Sequence, residues 1–313
     1  MATRTKSAPR RTKRSAEKNS RKAGNFLTRL FFQPKLLFGL AVLVSIFVFF
    51  PQIRSALPDL GSREEFQLRI ADISITPAPR WVAEDLVAQV VARAGRTEPM
   101  SRLDKTLVED LAAEFKRHPW VANVSRVRLA STGIEVDLSY RQPVGMVQLK
   151  QGIYPVDANG TLLPPEDFSA DDIKHFPLIR NVKSTPQGPA GTNWGDEGVL
   201  GAAQLAEVVG PHWNQFNLVA IHVPDRTSAS ATLDDMIFEL STAGGSRIVW
   251  GRAPESKHPG ELTPEQKIGR LEEYQSKYGV LDKSHGPYRI EIYHWKDILR
   301  RPLSAQAETP PVR

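Results

Sequence analysis

Fifteen consecutive residues, Leu36 to Phe50 (LLFGLAVLVSIFVFF), carry no charge, and only Gly39 and Ser45 dilute the apolar run. Extended to Ile53, the stretch would span about 27 Å as a helix, close to the hydrocarbon thickness of a bilayer. The pattern therefore predicts one transmembrane helix over 36–53, with Pro34 and Lys35 at its start and Pro51 closing it. A cleavable signal peptide would have a shorter apolar run followed by a small-x-small site, which is missing after Phe50. A helix buried in a soluble core would show polar residues on one face, and this run shows a single serine.

The net charge of +6 acquires meaning only when it is divided along the chain. Eleven of the 41 basic and one of the 35 acidic side chains fall in residues 1–35, which leaves 30 bases and 34 acids for the rest. A basic flank on the N-terminal side of a membrane helix predicts a cytoplasmic N-terminus and an extracytoplasmic C-terminal part at the plasma (inner) membrane. From Ala2 to Asn25 the chain has almost no apolar content, and 1–35 is expected to be a disordered basic tail. The bases of the 2–25 stretch have no aromatics between them and so no stacking platform, and nucleic acid is not expected as a partner. Cysteine is absent, which excludes disulfides and thiol chemistry.

Residues 54–65 read as a proline- and glycine-bearing linker. Beyond it, Phe66 to Thr76 predicts a strand and Val82 to Ala94 a helix. A second helix is predicted from Leu103, Leu107, Leu111 and Phe115, which recur every four residues up to the stop at His118-Pro119. Strands are expected from Trp120 to Leu129 and from Ile134 to Tyr140, where apolar and polar residues alternate. The order strand, helix, helix, strand, strand over 66–141 predicts two helices on one face of a three-stranded sheet. Over 142–298 the signals are a hairpin across Gly152 to Leu163 with its turn at Asp157-Ala-Asn-Gly160, a helix from Gly198 to Val209, and strands at 218–223, 236–240 and 247–250. A helix at 264–278 capped by Thr263 and Gln266, and a last strand at 288–293, complete this second domain. Residues 183–197 and 253–264 are left as unplaced loops, and 299–313 as a disordered tail.

These residues carry a resemblance. The single apolar run behind a basic tail, the β-α-α-β-β order and Pro119-Trp120-Val121 between second helix and second strand resemble the POTRA domain of the bacterial cell-division family FtsQ/DivIB. Arg141-Gln-Pro-Val144 resembles that family's basic-x-Pro-Val link, Asp157-Ala-Asn-Gly160 its DxNG hairpin, Phe176-Pro-Leu-Ile179 the step after it, and Gly245 to Gly251 a strand of its β-domain. The fold class expected is α+β: one transmembrane helix, a POTRA-like domain, and a mixed, mainly antiparallel β-domain with flanking helices. The resemblance implies a non-enzymatic, membrane-embedded scaffold at the division septum, with FtsB- and FtsL-like proteins as partners.

No catalytic, cofactor or metal constellation emerges, and no small-molecule substrate is expected. Asp234-Asp235 are sequence neighbours that point to opposite faces of any strand, and His118, His175, His212, His222, His258, His285 and His294 show no i,i+4 pair. The candidate partner-binding residues are Arg289, Glu291, Tyr293 and Trp295, which share one face of the last strand if it stays extended. An accessible strand edge there would accept a partner strand, the mode the resemblance implies. The competing arrangement packs Tyr293 and Trp295 back on the 264–278 helix. Two other functions stay open: a POTRA-type chaperone that receives exported chains by strand addition, and an extracytoplasmic cell-wall enzyme, which would need paired carboxylates in a groove.

Overall fold

A computed structural model describes residues 34–56, 63–225, 232–282 and 286–303. Residues 1–33 of the expected basic tail, 57–62 of the linker, His285, and 304–313 of the expected C-terminal tail lie outside the described residues. The chain forms two compact units, Met1–Arg63 and Glu64–Arg313.

The first unit contains helix α1 (Pro34–Ala56). Among the described residues no helix is long and apolar enough to cross a membrane, which corrects the transmembrane helix expected over 36–53. Pro51 does not end the helix, which continues past Gln52 and Arg54 to Ala56.

The second unit is mixed α/β and carries two main sheets, each with its own core. The strand expected over 66–76 is broken into β1 (Gln67–Leu68), a one-turn helix at Ile70–Asp72 and β2 (Ile73–Ile75). After it come α2 (Leu86–Arg93), β3 (Met100–Ser101), α3 (Leu107–Arg117), β4 (Val121–Leu129) and β5 (Ile134–Tyr140). β1 pairs with β3, and the three-stranded sheet has the order β2-β5-β4, with β2 parallel and β4 antiparallel to β5. Leu86, Val90 and Val91 of α2 and Leu107, Leu111 and Phe115 of α3 are buried with Ile134, Val136 and Leu138 of β5, as the four-residue spacings predict. Leu103 is an exception: α3 starts at Leu107, and Leu103 stays exposed in the preceding turn. At the other end His118 takes an extended ψ of 131°, the conformation that a following proline imposes.

The second sheet is assembled from β6 (Pro143–Leu149), β7 (Gly152–Asp157), β8 (Leu178–Arg180), β9 (Leu218–His222), β10 (Phe238–Thr242), β11 (Arg247–Gly251), β12 (Tyr288–Glu291) and β13 (Leu299–Pro302). Its order is β13-β12-β11-β10-β9-β8-β6-β7, and the pairs β6–β8, β8–β9 and β11–β12 are parallel. β13 occupies residues expected to be disordered. Short α4 (Ala170–Ile173) precedes β8, while α5 (Glu197–Val209) and α6 (Pro264–Tyr278) pack their apolar residues into the sheet's core. The expected capping box is present on α6: Thr263 Oγ1 accepts from the Gln266 amide, and the Gln266 side chain accepts from the Thr263 amide. The 183–197 loop is anchored by buried Trp194, whose indole N–H donates to Ser184 Oγ at 3.0 Å.

Contacts that join the sheets include an ion pair and an indole hydrogen bond. Arg141 reaches from the end of β5 to Asp157, Nη1 to Oδ2 at 2.9 Å, while the other Asp157 oxygen accepts from the amides of Asn159 and Thr161. The turn aspartate of the DANG segment is thus also the anchor of the link arginine. Trp120, buried in the first core, donates its indole N–H to Asp167 Oδ2 at 2.7 Å and lies 5.9 Å from the Phe168 ring.

Candidate interaction site

The predicted partner-binding residues lie at the C-terminal end of the large sheet. Arg289 and Glu291 are on β12, which is parallel to β11 on one side and antiparallel to β13 on the other. The edge expected to be open on β12 is therefore filled by the chain's own last strand. Arg289 donates to Glu239 at 2.7 Å and to Glu291 at 3.3 Å, and His294 Nε2 lies 3.3 Å from Glu291 Oε2. Burial works against the Arg289 charge, but the Glu239 and Glu291 carboxylates outweigh it, so its pKa stands above the usual arginine value.

Tyr293 and Trp295 do not continue the face of Arg289 and Glu291, because β12 ends at Glu291 and the chain turns through 292–298 into β13. Trp295 projects into solvent, 72% exposed, with Lys296 Nζ 5.5 Å from its ring centre. Tyr293 is half-buried; its ring lies 4.0 Å from that of His294. Its Cβ lies over Gly251, where a methyl group would come within 2.7 Å of it. Gly251 has φ +99° and ends β11, so the residue without a side chain permits both the turn and the close approach.

The turn is held from α6 by residues that the sequence pattern does not single out. The Arg270 guanidinium donates to the carbonyls of Ile292, at 3.1 Å, of His294, and of Trp295, at 2.6 Å. One cation thus fixes the backbone on both sides of Tyr293 and directly at Trp295. One turn earlier on α6, Lys267 is only 2% exposed and pairs with Glu261, with its ammonium 5.1 Å from the Trp250 ring centre. Glu261 also accepts from the Arg252 amide at 3.0 Å and from its guanidinium at 3.1 Å. Burial pushes the Lys267 pKa down and Glu261 draws it only partly back; for Glu261 burial acts upward, but Lys267 and Arg252 together bring its pKa below the usual carboxylate value. The 253–264 loop, unplaced from sequence, is thereby pinned to α6 and to the end of β11. A lysine on a helix normally reads as solvated, so nothing in the spacing marks Lys267 as buried.

The remaining ionisable candidates lie apart. Asp234 accepts from Ser256 Oγ at 2.6 Å and from the Lys257 amide, whereas Asp235 caps the Leu233–Asp235 turn through Thr232. His118 is buried, with Gln89 at 3.4 Å, and His222 lies 3.0 Å from Ser241 Oγ on the neighbouring strand. Burial, aided by Arg93 at His118 and by Arg247 and Arg180 at His222, lowers each imidazole pKa to about 4. Both rings therefore remain neutral at physiological pH. No family model matches the chain, and no curated protein matches it.

Proposed function

We propose that this chain is a non-enzymatic scaffold of the bacterial cell-division machinery, of FtsQ/DivIB type, that joins septal proteins through a POTRA-like domain and a β-domain. The observation that carries the reading is the pairing in space of two motifs read separately: Arg141 of the R-x-P-V link is ion-paired with Asp157 of the DANG turn, at the joint between a β-α-α-β-β unit and a second sheet. The C-terminal rim of that sheet supports a docking role, since an exposed indole is mounted on a turn that Arg270 holds still. A rigidly presented tryptophan is the kind of residue that anchors protein interfaces, because its ordering cost is met before binding. FtsB- and FtsL-like proteins are the partners proposed for this rim, and the division septum is the proposed location.

Fluorescent fusion in dividing cells, with depletion of the native protein, tests the proposal. A midcell band and filamentous cells on depletion are expected; uniform signal with normal septa would overturn it. Trp295→Ala should abolish recovery of the partner while the chain stays folded, and retained recovery in both Trp295→Ala and Tyr293→Ala would remove the site assignment. A second reading, strand-accepting chaperone, draws on one observation: β4 is an edge strand of nine residues. Depletion that leaves septa normal and impairs envelope protein assembly would favour it.

A further inference from the structure

At the joint between the two sheets lies a cavity of about 560 Å³, a volume suited to a small organic ligand rather than to a lone ion. Three segments supply most of its wall: Arg80 and Trp81 on the approach to α2, Asp167 and Phe168 at the end of the one-turn helix Pro165–Asp167, and Asp172 and Phe176 at and beyond α4.

The aromatic part of that wall is fixed in advance. Pro77 and Pro79 stiffen the chain ahead of Trp81, the Val82 amide donates to the Pro79 carbonyl at 3.0 Å, and the Trp81 indole N–H donates to the Arg141 carbonyl at 3.2 Å. The Phe168 and Phe176 rings meet edge to face with centres 6.0 Å apart, and Phe168 rests on buried Trp120. Rings held this way lose little freedom when a ligand arrives.

The polar groups are only partly engaged. Asp167 gives Oδ2 to the Trp120 indole, and Asp172 gives Oδ2 to the Ser169 amide at 3.0 Å and to its hydroxyl at 2.6 Å. These Ser169 bonds hold the Asp172 carboxyl below the usual carboxylate range, with His175 and Arg80 adding attraction, so it stays charged. The second oxygen of each aspartate accepts no hydrogen bond among the described residues, and Arg80 makes neither a hydrogen bond nor an ion pair there. His175 also lines the cavity; its Nδ1 lies 2.8 Å from the Asp171 carbonyl and carries the proton, which leaves Nε2 of the neutral ring as an acceptor.

A ligand of one sign cannot satisfy this lining. An anion would pair with Arg80 and face two carboxylates. A cation would suit the carboxylates and the aromatic faces but meet Arg80. A neutral apolar ligand would cover all three charges and pair none. We propose that the cavity binds a short peptide with free ends: its carboxylate on the Arg80 guanidinium, its ammonium on the open oxygens of Asp167 and Asp172, and an apolar side chain against Trp81, Phe168 and Phe176. The site shares no residue with the 292–298 turn and goes beyond the docking role proposed above.

The test uses the full-length chain and the dipeptide phenylalanyl-leucine, with its N-acetyl and C-terminal amide forms as comparisons. Isothermal titration calorimetry should show saturable binding of the free dipeptide and at least tenfold weaker binding of each blocked form, because each lacks one charge. Arg80→Gln removes a side chain that makes no hydrogen bond or ion pair among the described residues, so its urea midpoint should match that of the parent chain. It should weaken the free dipeptide at least tenfold and leave the affinity of the amide form unchanged. Amide hydrogen exchange by mass spectrometry should show new protection at 80–83 and 168–176 on binding. No binding at millimolar dipeptide, equal binding of the three forms, an effect of Arg80→Gln that is the same for the free and amide forms, or protection gained only elsewhere would each overturn the inference. A midcell band without dipeptide binding would remove this site alone. Dipeptide binding as described, in a protein whose depletion leaves septa normal, would remove the division role alone.

Discussion

Gly251→Ala adds one methyl group at the point where β11, the 253–264 loop and the 292–298 turn converge. The new Cβ would lie 2.5 Å from Glu261 Oε1, 2.7 Å from Tyr293 Cβ and 3.3 Å from Lys267 Nζ. Tyr293 Cβ is fixed to its backbone and cannot swing aside. Glu261 can move only by loosening its bonds to Lys267 and Arg252. Forcing φ +99° on alanine costs about 1–2 kcal/mol, and overpacking typically adds about 1–3 kcal/mol, for a total of about 2–5 kcal/mol. Urea unfolding followed by circular dichroism would read this as a lower midpoint with an unchanged slope; by heat, each kcal/mol corresponds to about 2–4 °C in a unit of this size. The Tyr293–His294 pair must also shift, so partner recovery should fall in parallel. A loss below about 0.5 kcal/mol would refute the reasoning, since it would mean that Tyr293 and the Glu261 cluster yield freely.

Arg141→Ala leaves the buried Asp157 carboxylate without its cation and should destabilise by about 2–4 kcal/mol, measured by urea unfolding; Asp157→Asn keeps the turn shape and should cost less. Trp295→Ala should change stability by less than about 0.5 kcal/mol, because the ring is largely in water, while it removes partner recovery. For His118 and His222 the folded pKa of about 4 lies below the ordinary 6.5, so the unfolded chain binds more protons between those values. Their contribution is fully present above pH 6.5 and is lost as pH falls toward about 4, with a slope of at most about 1.4 kcal/mol per pH unit for buried His118 and less for the half-buried His222. Urea midpoints measured from pH 7 to 4.5 should decline less steeply in His118→Gln than in the parent chain; an identical decline would refute a neutral buried His118.

Local patterns were legible where one face is buried and the other is wet. The four-residue stripe of α3, the strict alternation of β5 and the Thr263–Gln266 cap all identify their elements, because each reports on its own few turns or residues. The first strand failed where its alternation breaks: a helical turn at Ile70–Asp72 divides it. Leu103 sits in phase with Leu107 but before the helix begins, so spacing alone placed it in the stripe. β13 was missed because Arg300, Arg301 and Pro302 carry no strand signal; pairing with β12 makes the strand. The candidate partner-binding residues rest on period-two reasoning that assumes the strand runs to Tyr293; Arg289 and Glu291 do share a strand, whereas Tyr293 and Trp295 belong to a turn. Arg270 and Lys267 stayed invisible, since charges on an amphipathic helix read as solvated until their partners arrive from distant segments.

The joint made by Arg141 with Asp157 and Trp120 with Asp167 has a mechanical meaning. Two domains linked by a single peptide would pivot, and whatever each one grasped would wander relative to the other. With a salt bridge on one strand end and an indole bolted across on the other, the pivot becomes a welded bracket. The two sheets would then turn together as one body, in keeping with the single compact unit over Glu64–Arg313.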